Sequence, residues 1–363
     1  MDRTRFEITS KQLIFIIVGT MVATAVLGLP RVAAAEAQQH AWLAVIIGAV
    51  VPLASILLTV ALLDRFQDPD FVNISRRLFG KILGTLLILA FVGYVVMFQS
   101  VVIRLFSEIT CVFMLPRTPV WAVSLACTIS VVYAVSQGGK VVGRLNEFFF
   151  YLLLVDLLII AIPALQGTYL NLLPLGEIDI NGLMQGSLNT MYAYGGVEVL
   201  LITYAMVQQR SEILKAAVIG LGLTVLIYLI VVVAGLMVFG SIGLHFITWP
   251  LLTLLKIPYA STLGRLELVF LLLWVGLGVR PAINLGMSAS YAAVRAFNLD
   301  FNRYYIWIVM GIGVSLYLLS LQADNLFQIF TWAEYQGYIF VAVSLGYPLL
   351  YLITAVLRRM KDR

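Results

Sequence analysis

The chain has 363 residues, of which 62% are hydrophobic and only 11% charged, and its mean hydropathy is +1.01. A soluble domain carries about a quarter of its residues as charges, so a soluble fold is excluded and a polytopic helical membrane protein is implied. Apolar runs of about 20 residues recur without period-2 alternation, which excludes an outer-membrane barrel. The formal charge of +5 does not point to nucleic acid, because the basic residues sit in short loops between apolar runs, where they set membrane orientation.

The first run, Leu13 to Pro30, follows Arg3, Arg5 and Lys11 and precedes Ala33-Ala34-Ala35. That is the layout of a cleaved signal segment, but the run exceeds the usual core of about 7–15 residues and holds Gly19, Thr20 and Thr24. It is therefore read as helix 1, broken near Ala23 to Gly28. Helix 2 is expected over Ala41 to Leu63, followed by a charged loop from Asp64 to Lys81. Helix 3 runs from Ile82 to Met114, and Pro116 and Pro119 make the turn before helix 4, Val120 to Val135. A loop from Ser136 to Arg144, with Gly138-Gly139, leads to helix 5, Asn146 to Leu165. Gly167 to Asn181 holds Glu177 and Asp179 and no basic residue.

Helix 6 is Gly186 to Tyr204 and helix 7 is Ile213 to Phe239. The connection from Gly240 to Gly264 contains Trp249-Pro250, Pro258 and a short interfacial helix at Leu251 to Ile257. Helix 8 covers Leu266 to Val294 with an interruption at Arg280-Pro281, helix 9 Tyr304 to Leu321 and helix 10 Phe327 to Leu357. With a cytoplasmic N-terminus only Arg31, Arg117, Lys256 and Arg265 fall outside, and only Arg104 and Arg280 lie within spans. This excess of inner basic residues predicts that both termini are cytoplasmic.

Ten helices divide five and five, and an odd number per half requires that the second half enter from the opposite face. The expectation is one all-α membrane domain, residues 1–363, built as a 5+5 inverted repeat of residues 10–166 and 182–357. The interruptions of helices 1 and 6 then correspond, and such paired breaks mark a midplane binding site.

Helix 6 carries the sharpest candidates. Gly195 and Gly196 free the backbone to unwind, Tyr192 and Tyr194 precede them, and the carboxylate of Glu198 follows at membrane depth, where charge is costly. Glu198 either holds a ligand ammonium group or bonds to backbone freed at the glycines. Tyr192 and Tyr194 flank Ala193, so only one readily faces a pocket. From helix 1 the candidate ligand-binding residues are Gly19, Ala23, Thr24 and Ala25; from helix 8 they are Val279 and Arg280. Arg104 and Glu108, four apart on helix 3, are expected to pair or to gate an outer vestibule. Asp156 has no basic residue within a turn, and Arg280 is its expected partner. Arg265 and Glu267 open helix 8 at the outer surface.

Cys111 and Cys127 have no C-x-x-C spacing and read as buried inert thiols, and His40 and His245 stand alone, so no metal or cofactor is expected. With no P-loop and no nucleophile elbow, an enzyme is not expected.

In order along the chain stand Val26-Leu27-Gly28-Leu29-Pro30-Arg31, Tyr194-Gly195-Gly196-Val197-Glu198-Val199, Thr248-Trp249-Pro250, Arg265-Leu266-Glu267 and Tyr335-Gln336-Gly337-Tyr338-Ile339-Phe340. Through these stretches the whole chain resembles the integral-membrane B subunit of bacterial spore germinant receptors, in the amino acid/polyamine/organocation superfamily. The resemblance implies a leucine-transporter-like fold with broken helices 1 and 6. It implies a nutrient sensor that binds an amino acid or similar germinant and acts with receptor A and C subunits in the spore inner membrane. The alternative is a proton- or sodium-coupled amino acid transporter. Ala23-Thr24-Ala25 stands where the family usually has a Gly-x-Gly element, which implies a tighter break.

Overall fold

The computed structural model describes residues 5–173, 176, 178–257 and 266–362. Among these residues seven helical stretches are long and apolar enough to cross a membrane: Leu29–Leu63, Lys81–Phe113, Gly139–Ala164, Arg210–His245, Leu266–Ala296, Phe301–Ser320 and Leu326–Leu357. Two shorter apolar helices, Ser10–Met21 and Val120–Ser136, join them.

Helix 1 is two helices, α1 (Ser10–Met21) and α2 (Leu29–Ala37). A capping box starts α1: the Thr9 hydroxyl accepts from the Gln12 N–H and the Gln12 side chain accepts from the Thr9 N–H, which satisfies donors that no helical carbonyl reaches. Pro30, expected to end helix 1, sits in the first turn of α2. Proline lacks only an N–H that has no helical partner there, so it begins a helix instead of stopping one. Helix 2 follows as α3 (Ala41–Gly48) and α4 (Val50–Leu63).

The expected loop from Asp64 to Lys81 contains a further helix, α5 (Phe71–Phe79). Asp70 caps it by accepting from the Val72 and Asn73 N–H groups, Phe71, Ile74, Ser75 and Leu78 face inward, and Gly80 ends it at a φ of +81°. The long α6 (Lys81–Phe113) is helix 3, α7 (Val120–Ser136) helix 4, and α8 (Gly139–Ala164) helix 5. Helix 5 starts a full two turns before the expected Asn146, because Gly138 alone, at a φ of +91°, makes the turn.

Helix 6 is divided into α9 (Ile180–Asn189), α10 (Met191–Tyr194) and α11 (Val199–Thr203). It begins ahead of the expected Gly186 because the Asp179 carboxylate caps Asn181; Gly186 lies inside it, where a Cβ would stand 2.8 Å from Ala37 of α2. Helix 7 is α12 (Ile213–His245), which turns at Gly240. The short helix expected at Leu251 to Ile257 is α13 (Pro250–Leu254), and its Leu251, Leu252 and Leu254 are buried. Helix 8 comprises α14 (Leu266–Gly278) and α15 (Arg280–Ala296), and α16 (Phe301–Ser320) and α17 (Leu326–Leu357) complete the chain. Arg265, Pro258 and Glu177 lie outside the described residues.

The centre of the bundle is α15, which packs on α1, α6, α7 and α16 and is buried along almost its whole length. Its alanines, serines and Gly286 suit that position, since small side chains let membrane helices approach closely where no hydrophobic drive separates helix from lipid. The loops assigned to one membrane face also meet one another. Ile8 forms a backbone bridge with Val207, Arg210 donates to the Phe66 and Gln67 carbonyls, Arg76 reaches Asn298, and Arg77 bonds to Asp362.

Candidate functional site

Helix 6 loses its regular hydrogen bonding between Tyr194 and Val199. Gly195 is extended and Gly196 has a φ of +114°, a conformation that a side chain disfavours. Glu198 closes the gap locally. Its Oε2 accepts from the Gly196 N–H at 3.0 Å and its Oε1 accepts from the Tyr94 hydroxyl of α6 at 2.7 Å. The carboxylate is 1% exposed, and both of its oxygens are thus engaged in holding the break.

Helix 1 breaks differently. After Met21 the backbone is extended at Val22, unusual at Ala23 (φ −149°, ψ −124°), and tightens into a 3-10 turn at Thr24–Leu27. The carbonyls left over at the end of α1 are met from elsewhere in the sequence. Arg280 donates through Nη2 to the Val22 carbonyl at 3.0 Å and through Nε to the Leu277 carbonyl at 3.1 Å, placing a cation at the negative end of α1. The hydroxyl of Tyr228 on α12 lies 2.8 Å from the Met21 carbonyl and 2.5 Å from the Ala193 carbonyl. With one proton to donate, it serves either break and ties the two together.

The two breaks touch. A Cβ on Gly196 would stand 2.5 Å from the Thr20 methyl and 3.1 Å from the Thr20 carbonyl. Beneath this contact the Asn284 amide donates to the Thr20 hydroxyl at 2.9 Å and to Asn146 at 3.0 Å. Gly19 leaves the room: its Cβ would fall 2.1 Å from the Asn146 side-chain oxygen.

Tyr192 and Tyr194 part company as expected of residues flanking Ala193. Tyr194 is fully buried, donates to the Val45 carbonyl at 2.7 Å and meets the Tyr228 ring edge-on. Tyr192 stacks near Phe98 at 5.2 Å, and its hydroxyl approaches Thr24 without reaching hydrogen-bond geometry. Thr24 is buried and Ala25 half-buried.

The remaining candidates are dispersed. Val279 lines a groove of about 600 Å³ bounded by α6, α7, α8 and α14, whereas its neighbour Arg280 faces a separate chamber at the helix 1 break. Arg104 lies 2.8 Å from Glu108 and donates to the Ala323 carbonyl ahead of α17. Asp156 and Arg280, expected to pair, face the same chamber but come nowhere within 4.0 Å. Nε and Nη2 of Arg280 are engaged by the Leu277 and Val22 carbonyls, while Nη1 has no hydrogen-bond partner among the described residues. Tyr94, Tyr228, Asn146 and Asn284 were not anticipated from sequence. The two asparagines were visible as amides inside spans, where polar side chains bond helix to helix; a tyrosine in an apolar run carries no such signal.

Comparison with known proteins accords with this geometry. A sequence profile of the family described as Spore germination protein matches residues 7–327. The chain is 26% identical to Spore germination protein YndE of Bacillus subtilis (strain 168) over 98% of each chain. It is 22% identical to Spore germination protein GerQB of Bacillus cereus over 96% of each. Among solved structures it is similar to MhsT in complex with L-phenylalanine, with a TM-score of 0.68 at 18% identity over 97% of this chain and 89% of that one. It is also similar to a mutant of the Eremococcus coleocola manganese transporter, with a TM-score of 0.68 at 13% identity over 94% and 78%. The fold is therefore that of the leucine-transporter-like transporters.

Proposed function

Since the chain belongs to the spore germination protein family, we propose that it is the membrane-embedded B subunit of a germinant receptor. In this reading it binds an amino acid or similar small nutrient at mid-membrane, and occupancy biases a complex with A and C subunits in the spore inner membrane. Ten crossings form the 5+5 inverted repeat, residues 10–166 and 182–357 of one domain, with both termini in the cytoplasm. That the basic loops share one face with the C-terminal segment is supported by the mutual contacts around Arg65, Arg76, Arg77 and Arg210, and their positive charge favours the inner side.

One observation carries the proposal: the two breaks adjoin at Gly196 and Thr20 and share the Tyr228 hydroxyl. A solute that bonds to freed backbone at either break changes what Tyr228 must satisfy, so binding is felt in both halves. A ligand shifts a complex only by its differential affinity for the two states, and a hydroxyl able to serve either half supplies two such states. Gly19, Ala23, Thr24 and Ala25 of helix 1 and Tyr192, Tyr194, Gly195 and Gly196 of helix 6 are the proposed ligand surroundings. Glu198 maintains the break, and Arg104 with Glu108 forms a pair at the edge of α6.

The test is ligand-dependent thermal stabilisation of the purified protein across an amino acid panel. One class of amino acid is expected to stabilise the wild type, and Gly195→Leu, which drives a side chain into Phe98, is expected to abolish the shift. Retention of the shift in that variant removes the break as the binding site. The transporter-like fold favours a second reading, a proton- or sodium-coupled amino acid transporter. Gradient-driven uptake into proteoliposomes supports it, and binding without uptake supports the sensor.

A further inference from the structure

Two backbone carbonyls that their own helices cannot satisfy converge on one side chain. The first belongs to Val22, the residue that closes α1, where the chain turns extended and the helical ladder stops. The second belongs to Leu277 in the last turn of α14. Its helical donor four residues on would be Pro281, which has no N–H to give. Each carbonyl stands at the C-terminal end of a helix, the negative pole of its macrodipole. Two such ends brought together call for a positive charge between them.

That charge is Arg280. Its Nη2 donates to the Val22 carbonyl at 3.0 Å and its Nε to the Leu277 carbonyl at 3.1 Å, and the residue is 1% exposed. The stem of the side chain runs past Gly19, where an added Cβ would stand 3.4 Å from Arg280 Cδ. Arginine suits the position, because its planar fork serves two acceptors at once and keeps its charge at physiological pH. In transporters of this fold, unwound carbonyls and the C-terminal ends of half-helices hold the coupling cation. Oxygens of that kind are present here, but the guanidinium already bonds both. A sodium ion entering between them would meet a fixed positive charge and would have to displace two charge-assisted hydrogen bonds.

We infer that Arg280 is a resident cation: its guanidinium takes the place of a dissociable metal ion between α1 and α14, so the helix 1 break assembles without sodium. Because a guanidinium keeps its proton, the position does not answer to a proton gradient either. The inference goes beyond the sensor reading and requires no solute to bind. It leaves sodium no role at this break in the transporter reading.

Thermal unfolding of the intact purified chain in sodium, potassium and choline chloride at one ionic strength tests this, since a cation bound only by the folded state raises the unfolding temperature with its concentration. The wild type is expected to unfold at the same temperature in all three salts. A saturable rise specific to sodium overturns the inference. In Arg280→Ala the unfolding temperature is expected to fall, and to recover in millimolar guanidinium chloride but not in choline chloride. That concentration is far below the molar range in which guanidinium unfolds proteins, and lost packing alone would not respond to the identity of the cation. An Arg280→Ala variant equally stable in guanidinium and choline therefore overturns the site. Should that variant fail to fold, binding of labelled sodium to the wild type decides: saturable binding overturns the inference and its absence upholds it. No amino acid enters these measurements, so their failure leaves the nutrient-binding reading to stand or fall on its own.

Discussion

The two helix breaks adjoin one another but are held by opposite means. Helix 6 carries its own provisions: Gly196 supplies the left-handed backbone, and Glu198, two residues on, returns to satisfy the Gly196 N–H. Helix 1 has no glycine between Thr20 and Leu27 and no acid from Ser10 through its break to Leu27. Its loose carbonyls are held by Arg280 and Tyr228, distant in sequence. A break encoded locally is robust to changes elsewhere, whereas a break held by borrowed groups is only as stable as the packing that delivers them.

That contrast sets the order of expected effects. Arg280→Met removes the cation from helix 1 and leaves the buried Val22 and Leu277 carbonyls without their donor, a loss of about 2–6 kcal/mol in thermal or denaturant unfolding at about 1–3 kcal/mol for each unmet group. A loss below about 1 kcal/mol would mean that helix 1 holds its own break. Gly196→Val forces a branched side chain into a positive φ against Thr20 and is expected to cost about 2–3 kcal/mol. The counterpart in helix 1, Ala25→Gly, removes only a half-buried methyl and is expected to cost about 1 kcal/mol or less; equal losses at the two positions would erase the distinction. Tyr228→Phe strips the donor that the two breaks share, and about 1–3 kcal/mol is expected. It is also expected to weaken amino acid binding, which Tyr305→Phe, whose hydroxyl bonds the remote Val135 carbonyl, does not.

The smallest effect lies outside the membrane, at Asp362. Hydrogen bonds from Arg77 hold its carboxyl below its ordinary range. A depressed carboxylate contributes fully at neutral pH, and that contribution is lost as acid titrates the group through its lowered range. The C-terminal tail is thus expected to become more protease-sensitive in strong acid, an effect that Arg77→Gln abolishes and salt weakens, because the pair is exposed.

Local signals were legible wherever a residue acts on its own neighbourhood. The Gly195-Gly196 break followed from glycine's backbone freedom, and the Arg104–Glu108 contact from helical spacing. The α5 helix was equally legible, with Asp70 before it and Gly80 after it, yet its charged residues masked the inward apolar stripe. Pro30 misled because proline ends a helix from inside but begins one from its first turn. The direct Asp156–Arg280 pair failed for another reason: two opposite charges in an apolar interior imply that each needs a partner, but not that the partner is the other.

Composition and the spacing of apolar runs, glycines and basic loops were sufficient for the membrane class, the approximate helix limits and the interruptions of helices 1 and 6, because each depends on interactions within a few turns of chain. Packing alone decided that Arg280 serves the Val22 carbonyl before Asp156 and that Tyr228 spans both breaks. It also decided that Glu198 turns to its own backbone. Such choices are contests among partners brought together from distant positions, and the winner is settled by ångström distances that no linear order of residues contains.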